Sequence, residues 1–469
     1  MYDIQVAVNH DNRYIAPMTM WLPRLEGRRG PKYRVIADAI DEDVQNGALR
    51  AGTKLPPHRD LADHLGVTVT TVTRAYTEAA RRGLTSGHVG RGTFIRGAEV
   101  DDSRDGSVID LTLNILMPDK EVAVLESRLF QRRVLPWTEL LGYVRPPGHL
   151  RHRQAMAAWL EGLGLPARPE HLALTAGAQH AMATSISAVT RPGDTVLTED
   201  LTYSGMKRLA SQLHLKVRGV PMDGEGLRPD ALEAACRASR ARVLYCMPRM
   251  QNPTSAIMSD RRRRQIAAIA TRYRLTVIED DTYGFHMPDA APLMPLIPER
   301  TIFVTSLSKS LFPGLRLGCV VAPAPILEKV CEAIWATMLM PSPIGADLLC
   351  GWLEDGTASR IAQWKRHETS ARQAIARRVL QGERLQSHPA SPHIWMHLPG
   401  RWNADDFVAA ARAGGVSVNA PGEFAVADHP PRAVRLCLGT PRTRAGLEEA
   451  LTRITGTLAG RGLPARAVV

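Results

Sequence analysis

The chain has 469 residues, and at roughly one domain per 150 residues that length accommodates two or three units. Hydrophobic residues make up 44% and charged residues 23%, which excludes disordered, collagen-like and coiled-coil classes. The 59 Lys+Arg against 47 Asp+Glu leave a net charge of +12, a balance that favours a polyanionic partner such as nucleic acid or serves solubility alone. Cys236, Cys246, Cys319, Cys331, Cys350 and Cys437 form no C-x-x-C pair, so reduced core residues are expected rather than a metal site or a disulfide framework. The opening MYDIQVAVNHDNRY carries acidic residues where a signal peptide has a basic region, and the most apolar later segment, residues 317–327, is short and holds two prolines. A cytoplasmic protein without a membrane partner is expected.

Residues 1–29 read as an N-terminal arm and 30–96 as a compact domain. Tyr33, Ile36, Ala37, Ile40 and Val44 recur at helical spacing up to Gly47. A second helix fits Arg59 to Leu65, stopped by Gly66, and a third runs from about Thr70 to Arg82, stopped by Gly83. Two strand-like pieces follow, Leu84 to Ser86 and Gly92 to Arg96. Three helices with a tight turn between the second and third, then a hairpin, describe a winged helix-turn-helix. The stretches NGALRAGTKLP, RDLADHLGVT and GRGTF resemble the GntR-type winged helix. That resemblance implies binding to double-stranded operator DNA, with Arg59 on the backbone, Thr68, Thr70, Thr71 and Thr73 at phosphates or bases, and Arg74 also among the DNA-binding residues. His88 and Arg91, on the wing, would reach the minor groove. Val69 stands where many relatives carry arginine, which removes bidentate guanine reading there and leaves apolar contact with a thymine methyl.

Residues 97–107, acidic and polar, read as a linker. Beyond it, HLALTAG, DTVLTED, KVRGVPM, RVLYCMP, LTVIEDD, TIFVTS and LGCVVAP are strand-like, and helical stretches such as Ala178 to Val189, Ser204 to Leu213 and Asp260 to Tyr273 separate most of them. Such alternation predicts a largely parallel sheet covered on both faces, an α/β large domain over 108–325. Residues 326–469 read as interdomain helices, one from about Thr357 to Glu383, and a smaller α/β domain containing HIWMHLP, VSVNAP and AVRLCLG.

The chemistry concentrates in SLSKSLFPGLR, directly after the strand IFVTS. A lysine, Lys309, flanked by the hydroxyls of Ser306 and Ser308 and followed by Arg316, suits a covalently held phosphorylated cofactor: the amine forms a Schiff base while hydroxyls and guanidinium hold phosphate. Gly177-Ala178-Gln179 lies between a strand and a helix, where a glycine turn and free N–H groups favour phosphate. Asp280 and Tyr283 end the strand LTVIED, offering a carboxylate to a pyridine nitrogen and a phenol to a ring oxygen. Asn252 follows VLYCMP as another donor. These are strand carboxyl ends, where open α/β sheets bind ligands. The S-x-x-K of Ser306–Lys309 also fits serine β-lactamases, but the companion S-D-N and K-T-G motifs are missing.

With these motifs, residues 108 to 460 resemble the fold-type I pyridoxal phosphate aminotransferases of class I/II. The resemblance implies pyridoxal 5'-phosphate as cofactor, Lys309 as its covalent lysine and catalytic residue, and Asp280 as partner of the ring nitrogen. It further implies Asn252 and Tyr283 at the ring oxygen, Tyr203 stacked on the ring, and Ala178, Gln179, Ser306 and Arg316 at the phosphate. Arg435 matches the small-domain arginine that grips a substrate carboxylate. Tyr143 resembles the tyrosine that reaches the phosphate from a neighbouring subunit, which implies a homodimer. Ser255 departs from the family's N-P-T-G, which has glycine at that position. Together the two parts resemble the MocR subfamily of bacterial transcription regulators, implying a pyridoxal-phosphate-dependent regulator that senses the cofactor, a small amino compound, or both. A working aminotransferase carrying a DNA-binding head is the alternative.

The first 100 residues hold 14 Lys+Arg and 11 Asp+Glu, so the DNA assignment rests on motif rather than on charge. Arg360, Lys365, Arg366, Arg372, Arg377 and Arg378 are expected to form a solvated helix face, with a second phosphate-facing surface as the alternative.

Overall fold

A computed structural model describes residues 21–23, 25, 30–45, 48–49, 53–81, 84–88, 92–95, 108–116 and 137–460. The chain divides into two compact units, Met1–Gly106 and Ser107–Val469. The linker expected at 97–107 and the wing residue Arg91 lie outside the described residues.

In the first unit, helices Lys32–Gln45, His58–Leu65 and Val69–Arg81 precede an antiparallel hairpin of Thr85–His88 with Gly92–Ile95. Ile36, Ile40, Leu61, Val72, Ala75 and Ile95 close one small core. The turn between the second and third helices needs a left-handed residue, and Gly66 supplies it at φ +60°. Tyr76, buried on the third helix, donates its hydroxyl proton to the Pro56 carbonyl at 2.9 Å.

The second unit is built on a seven-stranded sheet in the order Leu172–Thr175, Gly318–Val321, Thr301–Ser306, Thr276–Asp280, Val243–Cys246, Thr195–Glu199, Lys216–Val220. All seven are runs that the sequence marks as strands. Among them only Gly318–Val321 runs antiparallel to its neighbours. Side chains alternate between faces, as period-two geometry requires. Ala173, Val243, Tyr245, Ile278, Ile302, Val304 and Val320 face one apolar layer, while Leu174, Phe303, Cys319 and Val321 face a second and Leu244 and Val277 a third.

The large layer structure extends past residue 325. Helix Ala324–Met338 contributes Leu327, Val330 and Ile334 to one face, and helix Pro343–Glu354 contributes Ala346, Leu349 and Trp352 to the other. The helix expected to reach Glu383 stops at Val379. A three-stranded antiparallel sheet, Leu385–Gln386, His393–His397 and Ala433–Cys437, forms the smaller domain with helices Ala404–Ala413 and Arg444–Leu458. Ile109–Asp110 pairs in parallel with Val416–Ser417, so residues N-terminal to the large sheet belong to the smaller domain's core.

The expectation of a solvated basic face on helix Thr357–Val379 is corrected at two positions. Lys365 and Arg372 are 2% and 3% exposed. Lys365 Nζ donates to the carbonyls of Lys309 and Leu311, and Arg372 pairs with Glu368 and caps the carbonyls of Leu438 and Pro441. Two turns apart, both fall on the face of the helix that is turned to the core, where buried charge demands partners. Arg360, Arg377 and Arg378 are exposed and Arg366 is half-buried. Among the described residues no helix is long and apolar enough to cross a membrane.

Candidate functional site

Lys309 sits in a short helix, Leu307–Ser310, that begins where the buried strand Thr301–Ser306 ends. Ser306 caps it, its hydroxyl accepting from the Ser308 N–H. Lys309 Nζ donates to the carbonyl of Asn114 at 2.7 Å. Burial pushes its pKa down to about 8, the Cys437 sulfur opposing and the Arg435 and Arg316 cations adding to the shift.

Asp280 ends the adjacent strand. Its Oδ2 accepts from the Tyr245 hydroxyl at 2.8 Å, and its Oδ1 from the Thr282 N–H and hydroxyl at 3.1 and 2.7 Å. Burial raises its pKa above the ordinary carboxylate value, and the hydrogen bonds from Thr282 and Tyr245 oppose that rise. The Tyr283 hydroxyl accepts from Asn114 Nδ2 at 2.9 Å, and burial raises its pKa. Its own proton is then left to donate. Asn252 Oδ1 accepts from Arg435 Nη1 at 2.7 Å, which orients the amide so that Nδ2 is the free end.

Arg435, 7% exposed, also donates through Nε and Nη2 to Asn419 Oδ1 and through Nη2 to the Thr112 carbonyl at 2.8 Å. Its guanidinium lies 4.7 Å from the Phe424 ring centroid. Ser255 occupies the left-handed region at φ +61°, the conformation that explains glycine in the family pattern. Its hydroxyl bonds Ser391 Oγ at 2.8 Å and the His393 carbonyl at 3.2 Å.

An anion cradle lies at the start of helix Ala178–Val189, whose first N–H groups have no intrahelical acceptors. Gly177 turns into it at φ +82°, and a Cβ there would meet Arg316 Nη2 at 3.0 Å. Arg316 Nη2 donates to the Ala176 carbonyl at 3.0 Å, which places its charge against the turn. Tyr203 precedes helix Ser204–Gln212, and its ring covers Gly205 so closely that a Cβ would lie 2.3 Å from it and 2.6 Å from Gln179 Oε1.

The sequence reading passes over Asn114, His393 and Tyr245. Asn114 is a lone amide in the apolar run LTLNIL; its Nδ2 reaches both Tyr283 and His393 Nδ1, while its buried Oδ1 has no partner. His393 Nε2 faces the Gln251 carbonyl at 3.2 Å, and burial pushes its pKa down to about 3, so the ring is neutral with the proton on Nε2. His286 Nδ1, buried beside Tyr283, likewise has no partner. The donor set and the glycine-formed cradle fit pyridoxal phosphate: an amine, a carboxylate, a phenol, an amide and an anion pocket lie at the carboxyl ends of the parallel strands. Tyr143, by contrast, is 79% exposed.

In the first unit Arg59, Thr68, Val69, Thr70 and Thr73 are exposed. Thr68 caps the third helix, accepting from the Thr71 N–H, and its hydroxyl pairs with the Thr71 hydroxyl at 2.8 Å. Thr73 Oγ1 donates to the Val69 carbonyl. Arg74 stacks on Tyr33 at 4.6 Å, so Thr68, Thr71, Thr73 and Arg74 are all engaged within the unit. His88 lies on the first hairpin strand.

Residues 108–454 match the aminotransferase class I and II family, and residues 32–95 match the gntR family of bacterial regulatory proteins. The HTH-type transcriptional regulator YdeF of Bacillus subtilis is 30% identical over 93% of this chain and 96% of its own length. The vitamin B6 salvage pathway transcriptional repressor PtsJ of Salmonella typhimurium is 30% identical over 80% of this chain and 87% of its own. An archaeal alanine:glyoxylate aminotransferase structure superposes with a TM-score of 0.69 at 22% identity, covering 84% of this chain and 95% of its own. A gntR head followed by a class I and II aminotransferase domain, shared over nearly the full length with a helix-turn-helix regulator, makes the chain a member of the MocR subfamily of GntR-type transcription regulators.

Proposed function

We propose that the chain holds operator DNA through its winged helix and takes pyridoxal 5'-phosphate, a small amino compound, or both, as its signal. The observation that carries this reading is the convergence of Lys309, Asp280, Tyr283, Asn252 and Arg435 in a chain that also carries a gntR head. Bound there, pyridoxal phosphate supplies an electrophilic aldehyde on an electron-withdrawing ring. Lys309 anchors it. Asp280 keeps the ring nitrogen protonated, and the Tyr283 proton and Asn252 Nδ2 face the ring oxygen. Tyr203 stacks on the ring, and Gly177, Ala178, Gln179, Ser306, Ser308 and Arg316 receive the phosphate. Arg435 receives the carboxylate of the amino compound, exchanging part of its present hydrogen bonding for it.

A second copy of the chain fits the exposed apolar surface of Leu141, Tyr143, Trp335, Met338 and Leu339. Residues 141–145 sit against the end of helix Ala324–Met338: the Val144 N–H meets Met340 Sδ, and Arg145 lies 5.4 Å from the Trp335 ring. We therefore propose a homodimer working in the cytoplasm, in which Tyr143 serves the partner's site.

The test is to add pyridoxal phosphate and then amino acids one at a time while following visible absorbance. A lysine-bound band that shifts with a particular amino compound, without sustained keto acid formation, supports a sensor. Multiple turnovers with an acceptor identify an aminotransferase instead. Lys309→Ala should abolish the band; its persistence overturns the lysine assignment.

A further inference from the structure

Residues 109–116 cross the site as a strap. Ile109 and Leu111 donate their N–H groups to the carbonyls of Gly415 and Ser417, and the Asp110 carboxylate holds Thr112 through its N–H and hydroxyl at 2.7 and 2.6 Å. The next three carbonyls are each held from the site side: Thr112 by Arg435 Nη2 at 2.8 Å, Leu113 by the Thr440 hydroxyl at 2.6 Å, and Asn114 by Lys309 Nζ at 2.7 Å. Two of the three donors are the groups that a ligand must engage. Toward its N-terminus the same segment leads through residues 97–107 to the DNA-binding unit.

Building on the function proposed above, we infer that this strap reads the site's occupancy for the DNA-binding unit. Lys309 must lose one proton to become a nucleophile. When its nitrogen then attacks an aldehyde carbon, a C=N bond forms, the C–O bond breaks, and both remaining amine hydrogens leave in the expelled water. The donor to the Asn114 carbonyl is thereby consumed. A carboxylate on Arg435 competes in the same way for the N–H that holds Thr112. Charge-assisted bonds are the strong ones, so withdrawing two from neighbouring carbonyls loosens the strap, and the ligand shifts the equilibrium by its differential affinity for the held and released strap.

The strap can be loosened without touching the groups assigned to cofactor or amine, because Thr440 holds Leu113 and is assigned to neither. The experiment uses the full chain, measuring hydrogen exchange of peptides spanning 109–116 and affinity for a duplex carrying the DNA upstream of its own gene. Pyridoxal phosphate should accelerate strap exchange roughly ten-fold while leaving strand Val243–Cys246 unchanged. Thr440→Val should accelerate strap exchange without any ligand, move duplex affinity toward the loaded wild-type value and, by reciprocity, tighten cofactor binding rather than weaken it. Cofactor uptake with unchanged strap exchange overturns the strap alone, as does a Thr440→Val chain whose strap loosens while its duplex affinity stays at the unliganded wild-type value. Failure to take up pyridoxal phosphate, or to bind the duplex under any condition, overturns the functional reading beneath it.

Discussion

At the residue scale, Lys309, Asp280, Tyr283 and Asn252 are legible in sequence because each falls just beyond an apolar strand and carries chemistry that a strand end does not need. Asn114 is not legible. It gains its role from a segment some 170 residues away in sequence from Tyr283, and no local pattern encodes that meeting. The pKa of Lys309, pushed down to about 8, has a direct consequence. At pH 7.5 about a quarter of the amine is neutral, against about a thousandth for an exposed lysine. The rate of pyridoxal phosphate capture should therefore rise with pH, reach half its plateau near pH 8, and level off above; stopped-flow absorbance between pH 6 and 10 measures it, and a rate still climbing in proportion to hydroxide at pH 10 contradicts the shift. Ser255 gives a second residue-level test. Its positive φ costs about 1–2 kcal/mol, which its hydroxyl bonds to Ser391 and His393 offset. Ser255→Gly removes both cost and bonds and should leave stability within about 1 kcal/mol, whereas Ser255→Ala keeps the cost and loses the bonds, so it should be the less stable of the two in denaturant titration.

At the scale of elements, the central strand runs are readable because strands buried on both faces show apolar stretches, whereas the edge strand Lys216–Val220 reads as alternation. Helix Thr357–Val379 was misread at Lys365 and Arg372 because charged side chains count as solvent-facing in any pattern. Only the carbonyls of Lys309, Leu311, Leu438 and Pro441, brought beneath the helix by the fold, make their burial tolerable. In the DNA-binding unit the structure separates two arginines that the sequence reading both assigns to DNA. Arg59 projects at the start of the second helix with its side chain exposed, while Arg74 rests on Tyr33. Arg59→Ala should weaken binding to all duplexes by a similar factor and reduce the slope of log affinity against log salt by about 1. Arg74→Ala should lower the thermal stability of the unit, and the slope less. Titrations by fluorescence anisotropy at several salt concentrations separate the two; equal slope changes contradict the assignment.

At the scale of the whole molecule, the sequence exposes two known architectures joined by a linker, but it places the small domain's edge too simply. Residues 109–111 pack in the C-terminal core, and helices beyond 325 pack on the large sheet, because packing is decided by which faces are apolar rather than by chain order. The exposure of Tyr143, Leu141 and Trp335 turns the proposed dimer into an arithmetic test. If Tyr143 serves the partner's site, a Tyr143→Ala homodimer has two weakened sites and a Lys309→Ala homodimer has no covalent site. A mixed dimer then combines both defects in one site and leaves the other intact, with Lys309 from one chain and Tyr143 from its partner. Equal amounts of the two variants, dissociated and reassociated at random, form mixed dimers in about half of the population, so about a quarter of all sites should recover wild-type affinity for pyridoxal phosphate. Absorbance titration of the mixture against each variant alone reads this directly. Recovery requires a site shared between two copies, whereas a mixture that behaves as the average of its parents assigns Tyr143 to its own chain or to no site.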